Sequence, residues 1–235
     1  MRTVAPESTG LTSNVSPCTA DALASALDAS GQLAALIGAA WESTSAFTDA
    51  RHRAAQGLCA ISLHHGQAML LLLPVLPASA IALVRPQYEA LVRAVWAMHA
   101  ATEVQLQRLV APLTLESQQA AKKLPGIPEM LEKLEASGPR GAATLLGRAR
   151  ERLNDGLNSF VHGGIHPFAR HQDGYPIGLL VDVMKNGNAM AMLTLNVLSS
   201  LPQQAEAMEL VRALYQQFED VLPTLEPFPA PTGSA

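Results

Sequence analysis

Leu83-Val84-Arg85-Pro86-Gln87-Tyr88-Glu89-Ala90-Leu91-Val92-Arg93-Ala94-Val95-Trp96-Ala97-Met98-His99 is the stretch on which the reading of this chain turns. On a helical wheel, at about 100° per residue, Arg85, Glu89, Val92, Arg93, Trp96 and His99 fall on one side, with Tyr88 at its edge. Leu83, Ala90, Leu91, Ala94, Ala97 and Met98 fall on the other, with Gln87 their one polar companion. A surface helix opposes its charges to an apolar stripe. Here the charges share a side with Trp, Tyr and His while the other side is apolar, which is the pattern of a central helix. Its ionic residues are therefore expected to be buried or to line a cleft. The spacing i, i+4, i+8 lets Glu89 bridge both arginines along one ridge. One carboxylate against two guanidiniums leaves a positive charge over, and in a buried setting that charge needs another acid, a carbonyl or an anionic ligand. A structural ion-pair network fits this pattern. So does an anion or phosphate site with Arg85 or Arg93 as the donor fork.

The rest of the chain agrees with a helical reading. Of its 235 residues, 49% are hydrophobic, 15% charged and only 4% aromatic. Ala and Leu dominate and favour helix, while the β-branched and aromatic residues that favour strands are sparse. The fold class is all-α, a bundle of about six long helices. The first is expected from after Pro17 to about Ser45, with Thr19 or Asp21 near its cap and Gly31 and Gly38 inside it. The second spans about 48–73 and is ended by Pro74. The third spans about 78–101, with Pro86 expected to bend it. Residues 103–139 form an excursion broken by Pro and Gly, with short pieces over 103–110 and 115–123. A fourth long helix over about 141–162 stops at Gly163-Gly164, and 163–176 reads as a loop. Helices over 177–199 and 203–222 complete the bundle, with Pro202 in the first turn of the last. One domain over 18–223 lies between a flexible arm, 1–17, and a disordered tail, 224–235.

The formal net charge of −4 gives no basic footprint for the chain as a whole. Cys18 and Cys59 have no metal-ligand spacing and read as reduced thiols of a cytosolic protein. Residues 1–17 lack the charged and apolar segments of a signal peptide. The most apolar run, 68–76, is short and contains Pro74, so no membrane is expected and the location is read as cytoplasmic. The apolar content points to a homo-oligomer or a protein partner. No G-x-S-x-G, Walker A or G-x-G-x-x-G pattern occurs, and no cofactor is expected. His162, His166 and His171 lack acidic or cysteine partners at ligand spacing, and Gly163-Gly164 and Pro167 interrupt the helix that would align them, so no metal site is expected. His64 and His65 are adjacent and point to different faces, one toward the core or an interface and one outward.

A second polar group lies in 151–162, where Glu151, Asn154, Asp155, Asn158 and His162 form one stripe and Leu153, Leu157, Phe160 and Val161 another. His162 precedes a double glycine at the negative end of a helix dipole, which favours protonation. Gly163 and Gly164 allow left-handed backbone and close approach. If this group faces the first, their meeting point is the place to look for a site.

Arg85-Pro86-Gln87-Tyr88-Glu89-Ala90-Leu91-Val92-Arg93-Ala94-Val95-Trp96 and Leu157-Asn158-Ser159-Phe160-Val161-His162-Gly163-Gly164 resemble two signatures of an uncharacterised bacterial all-helical family, over most of residues 20–222. More distantly, the arrangement is similar to HEPN domains, helical bundles that often dimerise and many of which are metal-independent ribonucleases with a short Arg-to-His spacing. Arg93 and His99, with five residues between them, match that spacing. The resemblance implies proton transfer by His99 and phosphate stabilisation by Arg93. A pairing of Arg85 or Arg93 with His162 across the bundle is the other arrangement. The leading expectation is a non-catalytic binding, assembly or regulatory module, as in toxin-antitoxin or defence systems. A HEPN-like ribonuclease with RNA as its partner is the alternative. Candidate catalytic residues are Arg93, His99 and His162; candidate ligand-binding residues are Arg85, Tyr88, Glu89 and Asn158.

Overall fold

The computed structural model describes residues 20–44, 47–139, 141–199, 201 and 207–224, apart from the side chains of 153–155. Among these residues the chain is all-helical and contains no strand. Five helices are long: α1 (Ala20–Glu42), α2 (Ala50–Leu72), α3 (Pro77–His99), α7 (Ala142–Val161) and α9 (Ile177–Ser199). The sixth long helix expected over 203–222 is shorter where it is described: α10 (Ala207–Gln217) gives way to a 3-10 turn at Glu219–Val221. Residues 202–206, the arm over 1–17 with Cys18 beyond it, and the tail from 225 on lie outside the described residues.

The central position of α3 follows from its lack of a polar outer face. It forms a hairpin with α2 through the turn at 73–76 and packs against α6, α7, α8 and α9 as well. Pro77 opens it at N1, where the missing N–H costs nothing, and Pro86 lies within it. Ile81, Val84, Leu91, Val92 and Trp96 are all buried. Gln87, on the same wheel face as Leu91, is sealed as deeply as any of them.

That glutamine is accommodated by two glycines. Its Nε2 donates to the Gly187 carbonyl of α9 at 2.9 Å, and the Ser62 hydroxyl of α2 donates to the Gln87 carbonyl at 3.0 Å. A Cβ on Gly66 would sit 2.7 Å from Gln87 Nε2, and one on Gly187 would sit 2.2 Å from Met69 Cε. The polar seam continues through Asn188, whose Nδ2 donates to Ser30 Oγ of α1 at 2.8 Å and to the Val221 carbonyl at 2.9 Å. α1 lays Ser30, Leu33, Ile37 and Trp41 into this core against α9 and α2. By length and composition α1 is also apolar enough to cross a membrane.

The broken excursion resolves into α4 (Glu103–Val110), α5 (Leu115–Ala121) and α6 (Ile127–Ser137). Capping boxes at Thr102/Gln105 and Thr114/Ser117 start the first two. α6 returns to α3 and α7, burying Met130 and Leu134. The segment expected as a loop at 163–176 is largely helical: α8 spans Ile165–Asp173. Pro167 occupies its first turn, where proline starts a helix as readily as it breaks one further in.

Two glycines of α2 should respond oppositely to alanine. Gly57 is exposed with nothing within 4 Å of its would-be Cβ, so Gly57→Ala should stabilise the fold by roughly 0.5–1 kcal/mol. Gly66→Ala must displace the Gln87 amide in a sealed core and should cost about 1–3 kcal/mol despite the gain in helix propensity. Urea denaturation of both variants checks this, and equal shifts would mean that Gln87 does not depend on the space at Gly66.

Candidate functional site

The ionic ridge of α3 opens into a cleft of about 470 Å³ lined by Arg85, Tyr88, Glu89, Arg93, Ile127, Pro128, Arg150, Leu157 and Asn158. α3, α6 and α7 supply its three walls. Glu89 bridges the two arginines as its spacing requires: Arg85 Nε donates to Oε1 at 2.9 Å and Arg93 Nη1 donates to Oε2 at 3.2 Å. Their side chains are 36%, 25% and 37% exposed for Arg85, Glu89 and Arg93, so the cluster lines an open cleft and is not sealed in the core. Both carboxylate oxygens are engaged, which fixes the guanidiniums along one ridge.

The second polar group meets the first through one residue. Arg85 Nη1 donates to Asn158 Oδ1, joining α3 to the last turns of α7. Tyr88 is buried and donates its hydroxyl proton to the Leu146 carbonyl at 3.0 Å. Burial pushes its hydroxyl above the ordinary tyrosine range; Arg150 opposes that rise and Glu89 adds to it. Tyr88 therefore stays a neutral donor committed to the protein, a wall of the cleft with no proton to offer a ligand.

Sequence reasoning missed Arg150, which completes the cleft from α7. Among the described residues no carboxylate pairs with it. Its signal was available in Arg148, Arg150 and Arg152, a run of alternating basic residues on a helix whose other polar members drew the attention. Glu129 in the first turn of α6 pairs with Lys133 at 2.9 Å and is not among the residues lining the cleft. Among the described residues the cleft thus carries three guanidiniums and one carboxylate, a formal +2.

The other sequence candidates lie elsewhere. His99 and His162 are not among the residues lining the cleft. His99 closes α3 beside Arg51, whose guanidinium caps that helix by donating to the carbonyls of Ala97 (2.8 Å), Met98 (3.2 Å) and Ala101 (3.0 Å). Burial holds the His99 imidazole below its ordinary value, and Arg51 lowers it further. His162 is exposed at the end of α7. His64 is exposed and His65 half-buried, on different faces as the adjacency requires. Burial, then His64, lowers the His65 imidazole. Cys59 is a buried free thiol whose ionisation burial strongly opposes. Among the described residues no group of three or more His, Cys, Asp and Glu is placed to hold a metal.

The Asn158–Gly164 string builds an elbow. The His162 N–H closes α7 on the Asn158 carbonyl at 3.1 Å, Gly163 takes a positive φ of 64°, and the Gly164 N–H donates to the Ser159 carbonyl at 2.7 Å. The Ser159 hydroxyl then accepts from the His166 N–H at 3.0 Å in the first turn of α8. A Cβ on Gly164 would meet Ser159 Oγ at 2.6 Å, so the second glycine is there for approach and the first for conformation. Ser159 was the other residue missed, since one serine before a helix end carries no pattern of its own.

The chain belongs to the family of unknown function DUF6988, whose model matches residues 59–224. Every residue of the cleft and the whole α7–α8 elbow lie in that span, whereas α1 lies outside it. No curated protein and no solved structure matches the chain.

His99 gives the fold a defined response to acid. A folded-state value below the unfolded one means that the unfolded chain binds more protons as pH falls. The stability held by neutral His99 is therefore complete above the ordinary histidine value near 6.5 and is lost as pH drops below it. Denaturation curves between about pH 7.5 and pH 5 should show falling stability, with a shallower fall in His99→Gln. An unchanged slope in the variant would place the titration elsewhere.

Proposed function

We propose that this member of the family is a non-catalytic binding module that holds an anionic ligand between α3, α6 and α7. The carrying observation is the charge of one cleft: among the described residues, Arg85, Arg93 and Arg150 stand against Glu89 alone. Holding like charges together costs free energy unless a counter-charge arrives, and guanidinium forks are suited to planar or tetrahedral oxyanions. Binding is favoured over cleavage because a general base must reach the proton that it removes. No histidine lines this cleft, its carboxylate is doubly engaged and its tyrosine is committed to a backbone carbonyl.

The assembly side of this reading rests on apolar side chains left in solvent. Val161, Ile165 and Phe168 are exposed around the elbow, and Leu113 and Leu115 flank the start of α5. They support self-association or a protein partner in the cytoplasm, to be read from sedimentation velocity across a concentration series.

Thermal unfolding in sodium sulfate, against sodium chloride at matched ionic strength, tests the site. Sulfate should raise the wild-type midpoint in a saturable way, because a ligand that binds only the folded state stabilises it by mass action. Arg150→Gln should keep only the general salting effect that sulfate exerts on any protein. Equal responses in wild type and variant would sink the proposal. RNA cleavage in chelator that is lost in Arg93→Ala and His99→Ala would replace it with the ribonuclease reading.

A further inference from the structure

We infer that the anion is a terminal phosphate, a phosphomonoester dianion carried on a small apolar body; this rests on the anion-binding reading above and narrows it. Charge sets the first condition. Among the described residues, three guanidiniums and one carboxylate leave +2, which a carboxylate or a phosphodiester, each with a single negative charge, neutralises only by half. A phosphomonoester brings close to two charges at neutral pH on one centre with three strong acceptor oxygens.

Donor supply sets the second. Glu89 holds one arginine on each carboxylate oxygen, and Asn158 turns its carbonyl oxygen to Arg85. Donors dominate the lining: the guanidiniums of Arg85, Arg93 and Arg150 and the amide NH₂ of Asn158. A site with donors in excess of acceptors favours a ligand that accepts. Protonated or hydroxyl-rich groups gain little there.

Space sets the third. At about 470 Å³ the cleft is larger than a bare oxyanion needs and falls in the range of small-molecule pockets. Ile127, Pro128 and Leu157 supply the smaller, apolar part of the lining, a wall for a small carbon body only. The ligand therefore places its phosphate on the arginines and its carbon body on that wall. Free inorganic phosphate satisfies the first two conditions and leaves the third unused.

Isothermal titration calorimetry on the full chain, with phenyl phosphate, inorganic phosphate, benzoate, diphenyl phosphate and sulfate as probes, separates these conditions. At about pH 7.5 phenyl phosphate should bind at least tenfold more tightly than benzoate or diphenyl phosphate, and more tightly than inorganic phosphate. At about pH 5 its affinity should fall by about tenfold, because the second phosphate proton, with a pKa near 6, has then returned. The groups facing the ligand are Arg85, Tyr88, Glu89 and Arg93 of α3 and Arg150 of α7, with Glu129 of α6 held by Lys133. Sulfate, a dianion at both pH values, reports any titration of these groups and should hold its affinity. Arg150→Gln should weaken phenyl phosphate by tenfold or more while its unliganded melt is no lower than that of wild type. Benzoate, diphenyl phosphate or inorganic phosphate binding as well as phenyl phosphate would overturn the inference and leave the anion site standing. An equal loss of sulfate affinity at about pH 5 would overturn it too, and if no anion binds, both readings fall.

Discussion

A buried amide lies where three helices meet, and the arrangement around it depends on the room it has been given. Gln87 reaches the backbone of α9 only because Gly66 and Gly187 have no side chains to keep α2, α3 and α9 apart. Its Oε1 has no partner among the described residues, so the amide is kept at a cost of about 1–3 kcal/mol that a leucine would avoid. A polar group retained at a loss contributes to register: slide α3 by one residue and the amide meets a side chain in place of the Gly187 carbonyl. The same logic carries through Asn188, which ties α9 to α1 and to the 3-10 turn with one amide.

Once α2 and α9 occupy one side of α3, its ionic ridge has nowhere to go but the groove between α6 and α7. A single arginine opposite Glu89 would have left the ridge neutral. Bridging two, with Arg150 approaching from α7, makes the cleft positive and keeps it so. The pairing is at i, i+4 on both sides, so the helix itself sets the geometry and little side-chain entropy remains to be lost when an anion arrives. Partial exposure matters here as well. A fully buried cluster of this composition would pay heavily for its excess charge, while a fully exposed one would be screened.

Much of this was legible in the sequence. The wheel of 83–99 placed α3 at the centre and left its charges either buried or on a cleft, and the bridge by Glu89 followed from spacing alone. That Asn158 faces the first cluster was the condition attached to the second motif, and Arg85 meets it. Arg150 was legible only as one of three alternating basic residues, because a basic residue on an amphipathic helix looks solvated until the opposing helix is known. Nor was Arg51, whose role as a cap for α3 joins residues nearly fifty positions apart. The helix at 165–173 was hidden by its own start signals, since Gly163-Gly164 and Pro167 read as breakers when the chain is followed forward. They are the exit from α7 and the first turn of α8.

Asn158 and Ser159 show why a short motif need not be read as one site. They are neighbours on the last turns of α7, about 100° apart around the helix, and so serve different faces. Asn158 turns its amide to Arg85 and the cleft, while Ser159 turns its hydroxyl to the first turn of α8 and its carbonyl to Gly164. The histidine and glycines that make the string conspicuous belong to the second job: His162 closes the helix and remains in solvent, Gly163 supplies the left-handed residue and Gly164 the close approach. Of the eight residues from Leu157 to Gly164, only Leu157 and Asn158 line the cleft. The part of the motif that reaches the cleft is therefore its least conspicuous end. The histidine, which alone suggested chemistry, is where it is because an elbow needs an ending.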